Sequence, residues 1–126
     1  MDSSALAKLV LREPGSDALR MLLIAAGQPP VCSELARTEL IRAVRRWDES
    51  LVDTALEVIA RCRVLGLHRG IFERAGTLDP PALRTLDALH IAAALELEAA
   101  LQAFVTYDER QAHAARHLGL TVLSPI

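Results

Sequence analysis

The sequence predicts a single α/β domain in which a small parallel sheet is surrounded by helices. The chain of 126 residues is long enough to bury one core and too short for two of ordinary size. Short apolar segments alternate with amphipathic helical segments, and crossover connections of this length join parallel strands. Hydrophobic residues make up 52% of the chain but aromatic residues only 3%, so we expect a core of Leu, Ala, Val and Ile.

The boundaries of the expected elements follow from hydrophobic spacing and from the residues that cap or break helices. Pro14 and Gly15 end the first helix, and Thr85 is expected to cap the central one. In chain order we expect helices over 5–12 and 16–26, a strand over 30–33, helices over 34–46 and 49–62, a strand over 63–67, helices over 69–76 and 85–100, a strand over 103–107, a helix from 108 and a strand over 120–123.

The composition excludes several classes of protein. No segment is long and apolar enough to span a bilayer, and the N-terminus lacks the order of charged, apolar and small residues that marks a secretory signal. Cys32 and Cys62 have neither zinc-site nor redox spacing, so we expect small buried thiols in a reducing compartment. These features predict a soluble cytoplasmic protein.

The charges are unevenly distributed. A net charge of −2 argues against a generally basic nucleic-acid binder. Lys8 is the only lysine, and four arginines crowd the helix expected over 34–46, namely Arg37, Arg42, Arg45 and Arg46. Such a cluster can bind phosphates or the carboxylates of a partner, or it can simply solvate a surface helix.

Asp87 places a carboxylate within the apolar helical run LRTLDALHIAAA, over 83–94. Asp87 and His90 are three residues apart and so share a neighbouring helix face, which we expect to look into a cleft. Taken alone, an Asp in a first helical turn could merely offset the helix dipole.

Three further acids, Asp2, Glu39 and Asp108, lie at comparable positions. Asp2 and Asp108 fall where a strand would lead into a helix, which is the edge at which parallel sheets form their crevices. Glu39 borders the apolar stripe of its helix, which runs through Ala36, Leu40, Ala43, Val44 and Trp47. Simpler roles exist, because Glu39 could pair with Arg42 and Asp108 could cap a helix together with Gln111. We expect the four acids to converge.

Carboxylates gathered in a partly dry cleft repel one another unless a cation neutralises them. Mg²⁺ or Mn²⁺ fits such a site, because each prefers oxygen ligands and keeps several waters. A metal held there can activate water and stabilise the charge on a phosphodiester under attack. Ser3, Ser4, Thr106 and His90 could orient the carboxylates, although His90 could equally be an ordinary packed histidine.

Four motifs carry a family resemblance that runs over practically the whole chain. DSSALAKL begins at Asp2, ELARTEL contains Glu39, LRTLDALHIAAAL surrounds Asp87, and FVTYDERQ contains Asp108. In order and spacing they resemble the PIN-domain ribonucleases, specifically the VapC-type toxins of VapBC toxin-antitoxin systems. The resemblance implies a compact parallel sheet wrapped by helices and an acidic quartet of these four residues that binds Mg²⁺ or Mn²⁺.

The same resemblance implies endoribonuclease activity on structured RNA such as tRNA, and a small VapB-type antitoxin whose C-terminal segment covers the cleft. Two other classes of protein are alternatives to a ribonuclease toxin. A phosphoacceptor receiver domain needs a lysine after a late strand, but Lys8 is the only lysine. A catalytically idle PIN-like module that only binds an antitoxin or dimerises is disfavoured by the presence of all four acids.

Two expectations concern assembly and the start of the chain. Apolar helix faces that include Leu19, Leu22, Leu23 and Ile24 exceed what a small sheet can cover. We therefore expect a homodimer with an antitoxin-binding groove that is lined by the helices of the first half of the chain. VapC-like chains generally carry a few apolar residues before the first Asp, as a central strand, whereas only Met1 precedes Asp2 here. We expect the natural chain to start a few codons upstream.

Overall fold

The computed structural model describes every residue from Met1 to Ile126 and contains seven α-helices and four short β-strands. In chain order these are α1 (Ser3–Val10), α2 (Ser16–Ala26), β1 (Val31–Ser33), α3 (Glu34–Trp47), α4 (Val52–Ala60), β2 (Arg63–Leu65), α5 (Arg69–Gly76), α6 (Thr85–Leu95), β3 (Phe104–Val105), α7 (Glu109–His117) and β4 (Val122–Leu123). Helices alternate with parallel strands, which confirms the predicted α/β class. None of the helices has both the length and the apolarity that crossing a membrane requires.

The central helix α6 differs from its prediction at both ends. Thr85 is its first helical residue rather than its cap, and Arg84 holds the N-cap position without a side-chain hydrogen bond. The helix ends at Leu95 instead of continuing to residue 100. Shortly beyond that end, Glu98 has a φ of 46°, and this left-handed conformation cannot continue a right-handed helix.

The sheet is divided into two separate parallel pairs. β1 pairs with β2, with Cys32 opposite Val64, and β3 pairs with β4, with Val105 opposite Leu123. No strand pairing joins the two halves. The carboxyl ends of β1 and β3 nevertheless lead directly into segments that carry predicted site residues, which are α3 with Glu39 and the connection from Thr106 to Asp108.

The first two residues of the chain bridge the two half-sheets. The terminal ammonium of Met1 donates to the carbonyl oxygen of Val31 in β1 at 2.7 Å, and the N–H of Asp2 donates to the carbonyl oxygen of Val105 in β3 at 3.2 Å. An apolar cavity of about 200 Å³ lies between the two half-sheets. We call this cavity, lined by Met1, Val31 and Val105 among others, the inter-sheet cavity.

The core consists of aliphatic side chains, as the composition predicts. Leu6, Leu40 and Ile59 pack where α1, α3 and α4 meet, and Ile91 packs on Phe104 beside α7. Cys32 is buried and Cys62 is half-buried, and both are free thiols. The expectation of a small buried thiol is therefore confirmed for Cys32, whereas Cys62 is only partly covered.

Two expectations about exposed apolar residues need correction. Trp47 was placed on the apolar stripe of α3 but is 75% exposed, because α3 ends at this residue, beyond the buried turns at Leu40 and Val44. Leu19 was assigned to an uncovered helix face but is fully buried against Ala5 and Val105.

Candidate functional site

Asp2 is buried, and three hydrogen-bond donors hold its carboxylate. It caps α1, where its Oδ1 accepts from the N–H of Ala5 at 3.0 Å and from the hydroxyl of Ser4 at 2.7 Å. Its Oδ2 accepts from the hydroxyl of Thr106 at 2.6 Å, and its own N–H is bonded to Val105. The carboxylate is therefore fixed in one orientation, and Oδ2 retains a lone pair for a further ligand.

Asp108 is joined to Asp2 through Thr106. The N–H of Asp108 donates to the Thr106 hydroxyl oxygen at 3.1 Å. Oδ1 of Asp108 accepts from the N–H groups of Arg110 and Gln111 at 2.9 and 3.2 Å, so Asp108 caps α7. No hydrogen bond engages Oδ2 of Asp108. Capping and metal binding are thus compatible, because each uses a different oxygen.

Gln111 links the two helices that carry Asp87 and Asp108. The Gln111 side chain is buried, and its Nε2 donates to the backbone carbonyl of Asp87 at 3.4 Å. In a full capping box it would instead bond back to the N–H of Asp108, which the Thr106 hydroxyl occupies. The sequence therefore identified the residue at this position but not its contact.

His90 connects Glu39 to the end of β1. The imidazole is buried, and its Nε2 lies within hydrogen-bond distance of Oε1 of Glu39. Since a carboxylate oxygen accepts, Nε2 donates, and in the neutral tautomer Nδ1 accepts from the hydroxyl of Ser33 at 3.3 Å. Glu39 pairs with His90 and not with Arg42, and Ser33 is a contact that sequence reasoning missed. Its position at a strand-to-helix junction, like that of Asp108, was the available signal.

Asp87 has no hydrogen-bond partner for its carboxylate, which is half-buried. Burial is the largest cause that raises the pKa of Asp87 above its usual value, followed by repulsion from Asp108. Glu39 also raises this pKa, whereas His90 and Arg84 lower it. Asp87 is therefore close enough to both Asp108 and Glu39 to be repelled by each.

The donor set suits a hard divalent cation. All four acids offer oxygen atoms, and both oxygens of Asp87 and one of Asp108 lack hydrogen-bond partners. The side chains do not form a closed cage, since no three acidic, His or Cys side chains are grouped closely enough to hold a metal ion together. Mg²⁺ fits an open arrangement, because it keeps several waters and is bound through one or two carboxylates.

The orienting residues named from sequence differ in their contacts. Ser4 and Thr106 both donate to Asp2, and His90 contacts Glu39. Ser3 makes no side-chain hydrogen bond and only begins α1. Hydrogen bonds to Thr106 thus connect Asp2 with Asp108. Asp87 lies near Asp108 and Glu39.

Comparison with known proteins gives matches over the whole chain. The PIN domain family matches residues 1–117. The chain is 42% identical over 125 residues to Ribonuclease VapC46 of Mycobacterium tuberculosis strain H37Rv, covering 99% of this chain and 95% of the relative. It is 38% identical over 129 residues to Ribonuclease VapC47 and 37% identical over 128 residues to Ribonuclease VapC35, both of M. tuberculosis strain CDC 1551, with 99% of this chain and 95% of each relative covered.

No solved structure matches the chain at a significant level. The sequence matches suffice for the assignment, because they extend through all four acidic motifs and reach identities far above those of unrelated chains. The resemblance inferred from those motifs is confirmed, and the chain belongs to the PIN-domain family, among its VapC-type members.

Proposed function

We propose that this protein is an endoribonuclease that requires Mg²⁺ or Mn²⁺ and acts as the toxin of a type II toxin-antitoxin system, cleaving structured RNA such as tRNA. The observation that carries the proposal is the environment of Asp87. This half-buried carboxylate has no hydrogen-bond partner and is repelled by Asp108 and Glu39, which supports its assignment as a ligand for a cation. The relatives named as ribonucleases support the reaction class.

The residues of the site would have distinct roles. Asp87 and Asp108 would hold the metal through their unpartnered oxygens, with Asp2 and Glu39 completing the acidic set. A bound Mg²⁺ supplies a Lewis acid that activates water and stabilises negative charge on a phosphodiester. Thr106 orients Asp2 by a direct hydrogen bond, and His90 orients Glu39. Both holding groups are buried, so the carboxylates they fix keep their positions when RNA enters.

The partners in this proposal are a VapB-type antitoxin and a second copy of the chain. On α2, Met21 is 67% and Ile24 is 74% exposed, and such neighbouring apolar side chains favour burial in an interface. We assign this face to the homodimer. Static light scattering at micromolar concentration checks it, and a monomer under those conditions would contradict it.

The test of the function is cleavage of a tRNA mixture by the purified protein with added Mg²⁺ or Mn²⁺. We expect cleavage that stops with excess chelator. Asp87→Asn should abolish cleavage and weaken Mn²⁺ binding in calorimetry while the domain stays folded. Asp53→Asn on α4 is the matched control, since it removes one exposed carboxylate away from the site.

The outcomes separate the two remaining classes. Cleavage that survives excess chelator would remove the metal mechanism. A protein that binds neither Mn²⁺ nor RNA and never cleaves, yet still binds an antitoxin or dimerises, would be the catalytically idle module.

A further inference from the structure

A second cleft opens directly beside Asp87, between the segment that leads into α6 and the first turns of α7. Its volume is about 500 Å³, within the range of small-molecule binding sites. We call it the α6–α7 cleft. Arg84 and Asp87 form one wall, and Glu109, Arg110 and His113 form the other. Anything that enters it lies next to the unpartnered carboxylate of Asp87.

The two arginines of this cleft are free to bind an external anion. Arg84 and Arg110 are exposed, and neither takes part in any of the six ion pairs of the structure. Three arginines elsewhere, Arg20, Arg37 and Arg45, each pair with a carboxylate. What distinguishes Arg84 and Arg110 from the other unpaired arginines is that both line the cleft beside Asp87. The inter-sheet cavity has no arginine or lysine in its lining. Unpaired guanidinium groups thus line the cleft that adjoins the candidate metal site.

The charge balance of the cleft depends on the metal. Its walls carry two arginines against the two acids Asp87 and Glu109, so it is close to neutral when Asp87 is ionised and unoccupied. A divalent cation on Asp87 would leave the walls with an excess of positive charge. The acidic site alone would repel a polyanion, so a substrate with several phosphates needs cations beside it.

A guanidinium group presents its N–H donors in a planar fork that matches a phosphate group. An RNA strand whose reactive phosphate lies at Asp87 must continue past one of its neighbours, and the α6–α7 cleft is an open path lined with suitable donors. An acidic peptide would also pair with two arginines, but it would bring carboxylates against Asp87 and Glu109. RNA is therefore the occupant that the chemistry of the walls favours.

We propose that Arg84 and Arg110 form a phosphate subsite that holds the RNA backbone next to the bond that is cleaved. This inference rests on the proposed function for its substrate, and it adds two binding residues outside the acidic quartet. The exposed imidazole of His113 lies on the same wall as Arg110, where it can stack on a base of the adjacent nucleotide.

The test measures binding of a fluorescein-labelled single-stranded RNA of random sequence, by fluorescence anisotropy in EDTA. Chelation removes cleavage and metal bridging, so the experiment reports only direct contacts. Arg84→Ala and Arg110→Ala should each weaken binding about tenfold. Each should also reduce the slope of log affinity against log salt by about 0.7, the value for one phosphate contact on a single strand.

Arg116→Ala is the matched control, because Arg116 is exposed on the same helix but does not line the cleft. Arg84→Lys tests the role of the planar guanidinium group, since lysine keeps the charge but not the forked donors. This variant should restore the slope of log affinity against log salt, but only part of the affinity that Arg84→Ala loses. Calorimetry with Mn²⁺ should give the same affinity for Arg110→Ala as for the unmodified protein, which separates a phosphate contact from damage to the metal site.

The outcomes distinguish this inference from the proposed function. Suppose that cleavage depends on metal but the cleft variants bind RNA with the same affinity as Arg116→Ala. That result would overturn the subsite and leave the proposed function intact. Arginine-dependent RNA binding without any cleavage would support the subsite and contradict the nuclease. If the variants keep RNA binding but lose binding of a labelled decaglutamate peptide, the cleft docks a protein segment and the inference is wrong.

Discussion

The hydroxyl of Thr106 donates a 2.6 Å hydrogen bond to Oδ2 of Asp2, joining residues that are 104 positions apart. Thr106 is fully buried and Asp2 is 3% exposed, so no water can replace this donor. The same hydroxyl oxygen accepts from the N–H of Asp108. One threonine therefore fixes the positions of two of the four acids.

Replacing Thr106 by Val should lower the free energy of unfolding by about 1–3 kcal/mol, because the substitution keeps the shape of the side chain but leaves a buried carboxylate oxygen without its donor. Urea unfolding measures the change. Thr106→Ser is the control, since it retains the hydroxyl and should be closer to the unmodified protein. Equal stability of the Val variant would show that this hydrogen bond contributes nothing.

The sequence predicted individual elements better than their contacts. The bounds of α2 and α5 agree with the prediction, because Gly27 and the short amphipathic run at 69–76 are local signals. The end of α6 was placed about five residues too late, since the left-handed backbone at Glu98 is set by the path into β3. Such a tertiary constraint cannot be predicted from the local sequence around residue 98.

The same holds for the candidate site, where the residues could be predicted from the sequence but most of their contacts could not. The acids were predicted from their positions at element boundaries or at the edge of an apolar helix face, and those positions are local. The contact of His90 with Glu39 spans 51 residues, and that of Gln111 with the backbone of Asp87 spans 24. Whether a polar side chain holds a site or merely caps a helix depends on which distant element packs against it. Ser33 was missed for this reason.

Asp87 should make the stability of the protein depend on pH. Burial and repulsion by Asp108 raise its pKa above 3.8 in the folded state, so between the two pKa values the folded state binds more protons than the unfolded state. Stability attributable to Asp87 is therefore present at low pH and is lost as the pH rises through this window. Asp87→Asn should remove that loss.

The measurement is thermal unfolding at several pH values from 3 to 7 without divalent metal. We expect the stability gain of Asp87→Asn over the unmodified protein to grow from pH 4 to pH 7, whereas Asp53→Asn should show no such trend. Added Mn²⁺ should stabilise the unmodified protein and leave Asp87→Asn nearly unchanged. A variant that is less stable than the unmodified protein at pH 7 would mean that Asp87 stabilises the fold, contrary to its environment.

The pair formed by His90 and Glu39 predicts a second effect on metal binding. His90→Leu removes the donor to Glu39 and the acceptor for Ser33, and it should cost about 1–3 kcal/mol of stability. If His90 orients Glu39 for a metal, this variant should also bind Mn²⁺ more weakly in calorimetry. His90→Gln keeps an N–H donor and should recover part of both losses. Lower stability with unchanged Mn²⁺ affinity would leave His90 a purely structural residue.

The inter-sheet cavity separates the facing edges of the two half-sheets, and residues 1–2 hydrogen-bond to both edges. Phe104 and Thr106 donate their N–H groups to the β4 side, so Val105 between them faces the inter-sheet cavity. Val105 and Val31 each offer a carbonyl to this space, and Asp2 and Met1 donate to them in alternation. Met1 and Asp2 thus hydrogen-bond to β1 on one side and to β3 on the other.

An apolar segment of four residues, Ile-Val-Ile-Val, joined to the amino end of Met1 should therefore insert between β1 and β3. We expect it to raise the free energy of unfolding, because burial of apolar side chains stabilises the folded state and the edges of β1 and β3 offer backbone hydrogen bonds to the ordered segment. A Gly-Ser-Gly-Ser extension is the control, because it has the same length but no apolar side chains to bury.

The terminal ammonium of Met1 gives this prediction a second measurement. Burial is the main cause that lowers its pKa below 8.0 in the folded state. Between the lowered value and 8.0 the unfolded state binds more protons, so the stability of the unextended chain should rise with pH up to about 8. Either extension converts the ammonium to an amide and should remove this rise of stability with pH. Only the apolar extension should also increase stability and strengthen Mn²⁺ binding, because it fixes Asp2 more firmly. If the two extended chains unfold at the same urea concentration, the edges of β1 and β3 do not accept a strand and the inter-sheet cavity is ordinary packing space.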